Sequence, residues 1–225
     1  LIFVTGRGKG ALEDHFDFAF ELETTMATRG KCDAALHATR TVPGTLSYVR
    51  QQQPLGLGHA VWCARELVGN EPFAVLLPDD LMLGKPGCLA QMVAAYENLG
   101  GNIICTQEVD PADTAKYGIV TPGARNDRVS EVRGLVEKPQ PADAPSNLAI
   151  VGRYILQPEV MDVLGNVGRG AGGEIQLTDA MAELIGSQPF HGLTFEGQRI
   201  DCGDRAGFVL ANLVLGLERA DVAPV

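Results

Sequence analysis

Apolar positions along this chain recur with two periods, and the switching between them lays out most of an architecture. Leu1-Ile2-Phe3-Val4-Thr5 is a short apolar run of the kind that forms a buried strand. It breaks at the turn Gly6-Arg7-Gly8-Lys9-Gly10, after which Leu12, Phe16, Phe20 and Leu22 recur among acidic residues and predict one helix over 11–27. A strand is expected over 45–49 and, beyond a Gly-rich turn, a helix over 59–67. Phe73 to Leu77 is wholly apolar and closed by Pro78-Asp79-Asp80, the pattern of a strand covered on both faces as in a parallel sheet. A helix over 88–99 stops at Gly100-Gly101, and a strand follows over 103–109. This alternation predicts an α/β sheet with crossover connections.

From Tyr117 the pattern changes to paired strands over 118–121 and 129–136, joined by a turn at Asn126-Asp127. A Pro-rich loop over 139–145 leads to a strand over 148–156. Helices are expected over 158–164, with Pro at its start, and over 174–185. Late strands over 190–195 and 199–200 precede a closing helix over 206–219. No internal repeat, low-complexity tract or linker divides the sequence. One domain over 1–225 is therefore expected, a length that can bury a single continuous core.

The 45% apolar and 20% charged content suits a folded soluble protein. A net charge of −10 argues against long nucleic acid, which needs a basic stripe to neutralise its backbone. Small nucleotides stay open, because backbone N–H groups, a lysine or two and Mg²⁺ can hold a few phosphates. Cys32, Cys63, Cys88, Cys105 and Cys202 show no Cys-x-x-Cys or zinc spacing, and read as reduced thiols of a cytoplasmic protein. His15, His37, His59 and His191 likewise form no zinc-binding pair. No apolar run approaches the ~18–20 residues of a membrane helix, and no signal peptide is evident, so no membrane partner is expected.

Five stretches could carry chemistry. Gly6-x-Gly8-x-Gly10 follows a strand, but lacks the Ser or Thr of a P-loop and reads as a structural turn. Gln51-Gln-Gln-Pro-Leu-Gly56-Leu-Gly58-His59 joins a strand to a helix. Its glycines would let a ligand approach the backbone, and a Gln side chain suits the edge of a pyrimidine; a plain turn is the alternative. Asp79 and Asp80 end a strand, where a carboxylate can hold Mg²⁺ against phosphates, or can cap a turn. Glu137-Lys138-Pro139 offers a carboxylate for sugar hydroxyls and an ammonium for a phosphate, or is a solvated pair before a turn. Asp201-Cys202-Gly203-Asp204 supplies a second metal ligand or simply opens the last helix.

The succession of these and other stretches is more specific than any one of them. Gln-(x)₄-Gly-Leu-Gly-His-Ala-Val, Leu-Leu-Pro-Asp-Asp, Ala-Lys-Tyr-Gly, Glu-Lys-Pro, Ser-Asn-Leu-Ala-Ile-Val-Gly-Arg-Tyr, Gly-Gly-Glu-Ile-Gln-Leu-Thr-Asp-Ala and Asp-Cys-Gly stand in one order from end to end. In that order the chain resembles the bacterial UTP–glucose-1-phosphate uridylyltransferases of the sugar-nucleotide transferase superfamily. The resemblance implies a Rossmann-like, three-layer α/β/α fold with a mixed central sheet. It assigns Gln51 and the Gly58 backbone to the uracil ring, and Asp79 to Mg²⁺ near the ribose and phosphates, with Asp201 completing the metal site. Gly118, Glu137 and Asn147 would line the glucose pocket and Lys138 would grip the sugar phosphate. Asp80 receives no role, and Gly173-Glu174-Ile175-Gln176 reads as a helix start near the sugar side.

The implied reaction joins UTP and glucose 1-phosphate into UDP-glucose and pyrophosphate by in-line attack on the α-phosphorus. The family relatives are usually homo-oligomers. They also begin with a strand, a Gly-rich loop carrying Arg and Lys, and a helix ahead of the strand that opens this sequence. The expectation is therefore a nucleotidyltransferase domain missing that N-terminal strand–loop–helix, roughly the 30 residues or more of a βαβ unit. Two rival readings follow: a glucose-1-phosphate thymidylyltransferase, and an inactive truncated module that binds UDP-sugar.

Overall fold

Two strands with no solvent-facing side organise the molecule. In the computed structural model, which describes residues 1–30, 40–220 and 222–224, these are β5 (Asn102–Glu108) and β8 (Leu148–Leu156). Cys32 and His37 lie outside the described residues. Because strand side chains alternate between faces, consecutive residues of β8 enter different cores. Ile150, Tyr154 and Leu156 pack with Ile104 against helices α3 (Leu57–Cys63), α6 (Val160–Asn166) and α7 (Leu177–Leu184), through Val61, Val160, Leu164, Leu177 and Met181. Val151 and Ile155 pack with Ile103 and Cys105 on the other side, against Cys88 and Met92 of α5 (Cys88–Leu99). Each fully buried aliphatic of this kind contributes about 1.5–3 kcal/mol relative to exposure. The result is helix layers on both faces of a sheet, the three-layer α/β/α architecture that the resemblance implied.

The sheet is mixed. Its six strands run in the order β3 (Phe73–Leu76), β8, β5, β9 (Phe190–Thr194), β7 (Val129–Glu137), β6 (Gly118–Asn126). Only β5 and β9 pair in parallel within it; every other ladder is antiparallel. This is the mixed sheet that the resemblance implied, and the segment from 118 to 156 returns on itself through a hairpin rather than crossing over. The strand at 73–77 is corrected. Phe73–Leu76 occupies the edge of the sheet, pairs only with β8 among the described residues, and leaves Ala74 and Leu76 exposed.

Two short ladders flank the main sheet. β1 (Ile2–Thr5) pairs in parallel with β2 (Ser47–Arg50), and β4 (Asp80–Leu83) pairs antiparallel with β10 (Gln198–Asp201). Among the described residues neither shares a pairing with the six strands. The single helix expected over 11–27 is broken into α1 (Gly10–Phe16) and α2 (Phe20–Thr28). Neither has a buried residue, so no packed face holds a continuous helix together, and isolated helices this short are marginal. The helix over 59–67 likewise divides into α3 and α4 (Arg65–Val68), and the last helix is α8 (Arg205–Leu217). No helix of the described residues is long and apolar enough to cross a membrane.

Candidate active site

The polar end of this sheet encloses a cavity of about 300 Å³. Its walls come from Asp79 and Asp80, from the Lys116-Tyr117-Gly118 turn, from Glu137 and Lys138 at the end of β7, and from Ile150, Gly152 and Tyr154 of β8. The start of α7 (Gln176, Leu177, Thr178) and Arg199 and Asp201 of β10 complete it. Thus five positions singled out from the sequence, Asp79, Gly118, Glu137, Lys138 and Asp201, meet in one space although 122 positions separate the first from the last.

Two carboxylates face the cavity from neighbouring backbones. The Cys202 N–H donates to the Asp79 carbonyl at 2.7 Å, which locks the two segments side by side. A Cβ placed on Gly203 would stand 3.0 Å from Asp201 Oδ1 and 3.5 Å from Asp79 Oδ2, so the two acids converge on one point. Asp80 turns away from it. Its Oδ2 accepts from the Gly152 N–H at 2.8 Å and its Oδ1 from Arg199 Nε at 2.5 Å, in a site where Asp80 is 6% exposed. Its acceptor oxygens are committed to the fold, which accounts for its lack of a family role. Only glycine fits at 152, because a Cβ there would lie 2.4 Å from Asp80 Oδ2 and 2.7 Å from the Leu77 Cβ.

Also in the lining, Glu137 pairs across the hairpin with Gly118. A side chain at 118 would meet Thr178 Oγ1 at 3.0 Å, Glu137 Oε2 at 3.1 Å and Ile150 Cδ1 at 3.1 Å, so the glycine keeps this wall open. The Glu137 side chain is largely buried while that of Lys138 is 49% exposed, and Lys138 Nζ stands 3.6 Å from Glu137 Oε1. The Lys138 backbone has φ of 47° and its N–H donates to the Tyr117 carbonyl at 3.0 Å. A non-glycine residue in this left-handed region is held there by its surroundings at a cost of about 1 kcal/mol or more.

The remaining expected site residues lie apart from these walls. Gln51 Nε2 donates to the Gly56 carbonyl at 3.0 Å and lies 3.0 Å from His59 Nδ1. The Gly58 N–H donates to the Ile175 carbonyl at 2.9 Å, and a Cβ there would stand 2.8 Å from that oxygen. Gly58 therefore allows the loop before α3 to pack on the loop before α7; its neighbour Leu57 reaches the cavity wall. Asn147 is exposed, with Nδ2 3.4 Å from the Val109 carbonyl. Gln176 is the residue before α7, so 173–176 does lead into a helix start.

Further wall residues received no role from the sequence, among them Tyr154, Thr178, Lys116 and Arg199. Tyr154 is 5% exposed, and burial, with Glu137 and Asp80 adding to it, pushes its hydroxyl well above the usual tyrosine range, so it stays protonated. Thr178 presents a hydroxyl beside Gly118. Lys116 forms a 2.7 Å ion pair with Asp113, which raises its pKa and keeps it cationic. Arg199 lies two positions before Asp201 on a strand, so both point to one face. That spacing was the available signal for it.

A divalent metal fits the acid pair. A hard cation such as Mg²⁺ keeps several waters and takes one or two carboxylates plus phosphate oxygens. Among the described residues no cluster of three or more His, Cys, Asp or Glu forms an all-protein cage, so waters and phosphate oxygens would complete the coordination. A second cavity, of about 380 Å³, lies between Trp62, Arg65, Pro158 and Asp162. Its one cation, Arg65, is stacked 3.7 Å over the Trp62 ring beside Glu66, Glu159 and Asp162, which suits it poorly to anions.

Comparison with known proteins shows the family. The nucleotidyl transferase family matches residues 23–214. A UTP–glucose-1-phosphate uridylyltransferase of Komagataeibacter xylinus is 50% identical over 204 residues, covering 90% of this chain and 72% of that protein. A crystal structure of a UDP-glucose pyrophosphorylase complexed with UDP-glucose superposes with a TM-score of 0.86 at 36% identity, over 97% of this chain and 81% of that one. A UTP-bound enzyme of the same kind from Acinetobacter baumannii gives 0.86 at 38% identity, over 98% of this chain and 78% of the other.

Proposed function

The chain belongs to the nucleotidyl transferase family and, within it, to the UTP–glucose-1-phosphate uridylyltransferases, and from that premise we propose that it transfers a uridylyl group from UTP to glucose 1-phosphate. The products are UDP-glucose and pyrophosphate. One observation carries the reading most: the Asp79–Asp201 pair and the Glu137–Lys138 pair line one cavity.

The reaction brings two anions together, so what it needs is alignment and charge neutralisation, with no covalent intermediate. Lys138 supplies a cation whose side chain is half free to reach a sugar phosphate. Glu137, largely buried beside it, accepts hydrogen bonds from sugar hydroxyls, and the bare Cα of Gly118 makes room for the ring. Asp79 and Asp201 would hold Mg²⁺, which when bound draws charge from the α-phosphate. Gln51, whose amide is fixed by Gly56 and His59, would contact the uracil ring together with the Gly58 backbone.

Pyrophosphate release with UTP and with dTTP, each with glucose 1-phosphate, tests the nucleotide preference. dTTP adds a 5-methyl group and lacks the 2′-hydroxyl; the methyl alone is worth about 10-fold or more in kcat/KM in a fitted pocket, so UTP is expected to win by at least that factor. Equal or faster turnover of dTTP would replace this reading with thymidylyl transfer.

A further inference from the structure

Arg199 is built into the cavity floor in a way that the reaction's charge requirements do not explain. Its side chain is 9% exposed. Nε donates to Asp80 Oδ1 at 2.5 Å and Nη2 to Asp201 Oδ2 at 3.1 Å, so one planar fork spans two carboxylates. Its Cζ also stands 5.2 Å from the centroid of the Tyr117 ring. Burial disfavours its charge, but the hydrogen bond to Tyr117 and the Asp80 carboxylate more than offset this and keep the guanidinium cationic.

Asp80 is itself immobilised. Gly152 N–H binds its Oδ2, and Arg153 Nη2 donates to its carbonyl at 2.6 Å. The ladder between β4 and β10 sets Asp80 directly opposite Asp201. Asp80 therefore anchors Arg199, and Arg199 anchors Asp201. The other oxygen of Asp201, Oδ1, accepts from the Gly203 N–H at 2.9 Å and is the one turned toward Asp79.

We propose that Arg199 is a positioning residue: it fixes the rotamer of Asp201 so that Oδ1 is presented beside Asp79 for a divalent cation. The inference rests on the uridylyltransferase reading of this cavity. A guanidinium near a cation site could instead repel the metal. Here its charge is matched by the buried Asp80, so the Asp80–Arg199 pair adds orientation with little net positive field. Residues that orient a metal ligand through hydrogen bonds are typically worth about 10–100-fold in metal affinity.

The test is Mn²⁺ binding, followed by electron paramagnetic resonance, to the unmodified chain and to Arg199→Lys. A lysine keeps the charge for Asp80 but cannot span both acids. Mn²⁺ affinity is expected to fall about 10-fold or more in Arg199→Lys. Circular dichroism in chelator reports whether Arg199→Lys is folded, so that the loss of Mn²⁺ affinity is read only on a folded variant. Unchanged or tighter Mn²⁺ binding in a folded variant would overturn the role. Failure of the unmodified chain to bind Mn²⁺ would instead sink the metal-site reading beneath it. Should the lysine variant not fold, the unmodified chain still decides the matter. Bound Mn²⁺ should broaden the Nε–H resonance of Arg199 and spare that of Arg65, and a sharp Arg199 signal would refute the proposal.

Discussion

Lys138→Ala is expected to lower kcat by about 10²–10³-fold, the usual cost of removing a preorganised charge-stabilising group. The loss should fall on turnover, since the fold has little stake in this ammonium. Its side chain is half exposed and its one ion pair among the described residues, with Glu137, is at 3.6 Å. Such a pair contributes about 0–1 kcal/mol to stability. Alanine keeps the Cβ and the Tyr117-bound backbone, so the left-handed conformation at 138 carries over. Steady-state kinetics together with thermal denaturation separate the two effects. A variant with near-normal kcat would remove Lys138 from the chemistry, and one that melts well below the parent would mark it as structural.

Asp79→Asn is expected to cost about 10²-fold or more in kcat/KM, with a higher Mg²⁺ concentration needed for half-maximal rate, because it removes one of two carboxylates from a site worth several kcal/mol. The amide is nearly isosteric, and the anchor of this segment is the Asp79 carbonyl accepting from Cys202, which the substitution leaves in place. Titrating Mg²⁺ against initial rate checks this. An unchanged Mg²⁺ dependence would mean that the metal is held elsewhere. The contrast with the adjacent acid is instructive. Asp80 makes two buried bonds to Gly152 and Arg199, so its role is structural although it stands next in sequence.

That contrast also shows what the sequence could and could not disclose. The strand over 148–156 and the helix over 88–99 were readable to the residue, because the strand is apolar on both sides of Gly152 and the helix has a regular pattern with a glycine stop. The hairpin over 118–137 was readable from its turn at Asn126-Asp127. Strand partners were not. The apolar run at 73–77 has the same composition as a central parallel strand, yet lies on an edge, and nothing local distinguishes the two. The break at Asp17 was hidden for a related reason: helical spacing was present, but the packed face that would sustain one helix was not.

For the site, residue type and order placed Asp79, Gly118, Glu137, Lys138 and Asp201 on the walls. What they missed were residues whose importance lies in tertiary contact. Arg199, Tyr154 and Thr178 sit in patterns that read as ordinary strand or helix. Gly152 interrupts an apolar strand, and only the approach of Asp80 reveals why a side chain is forbidden there.

The most direct test of the central claim is phosphorus NMR of the purified chain with UTP, glucose 1-phosphate and Mg²⁺. The account predicts UDP-glucose and pyrophosphate appearing in equal amounts as both substrates decline. Binding of UDP-glucose without formation of either product, or release of orthophosphate in place of pyrophosphate, would contradict it.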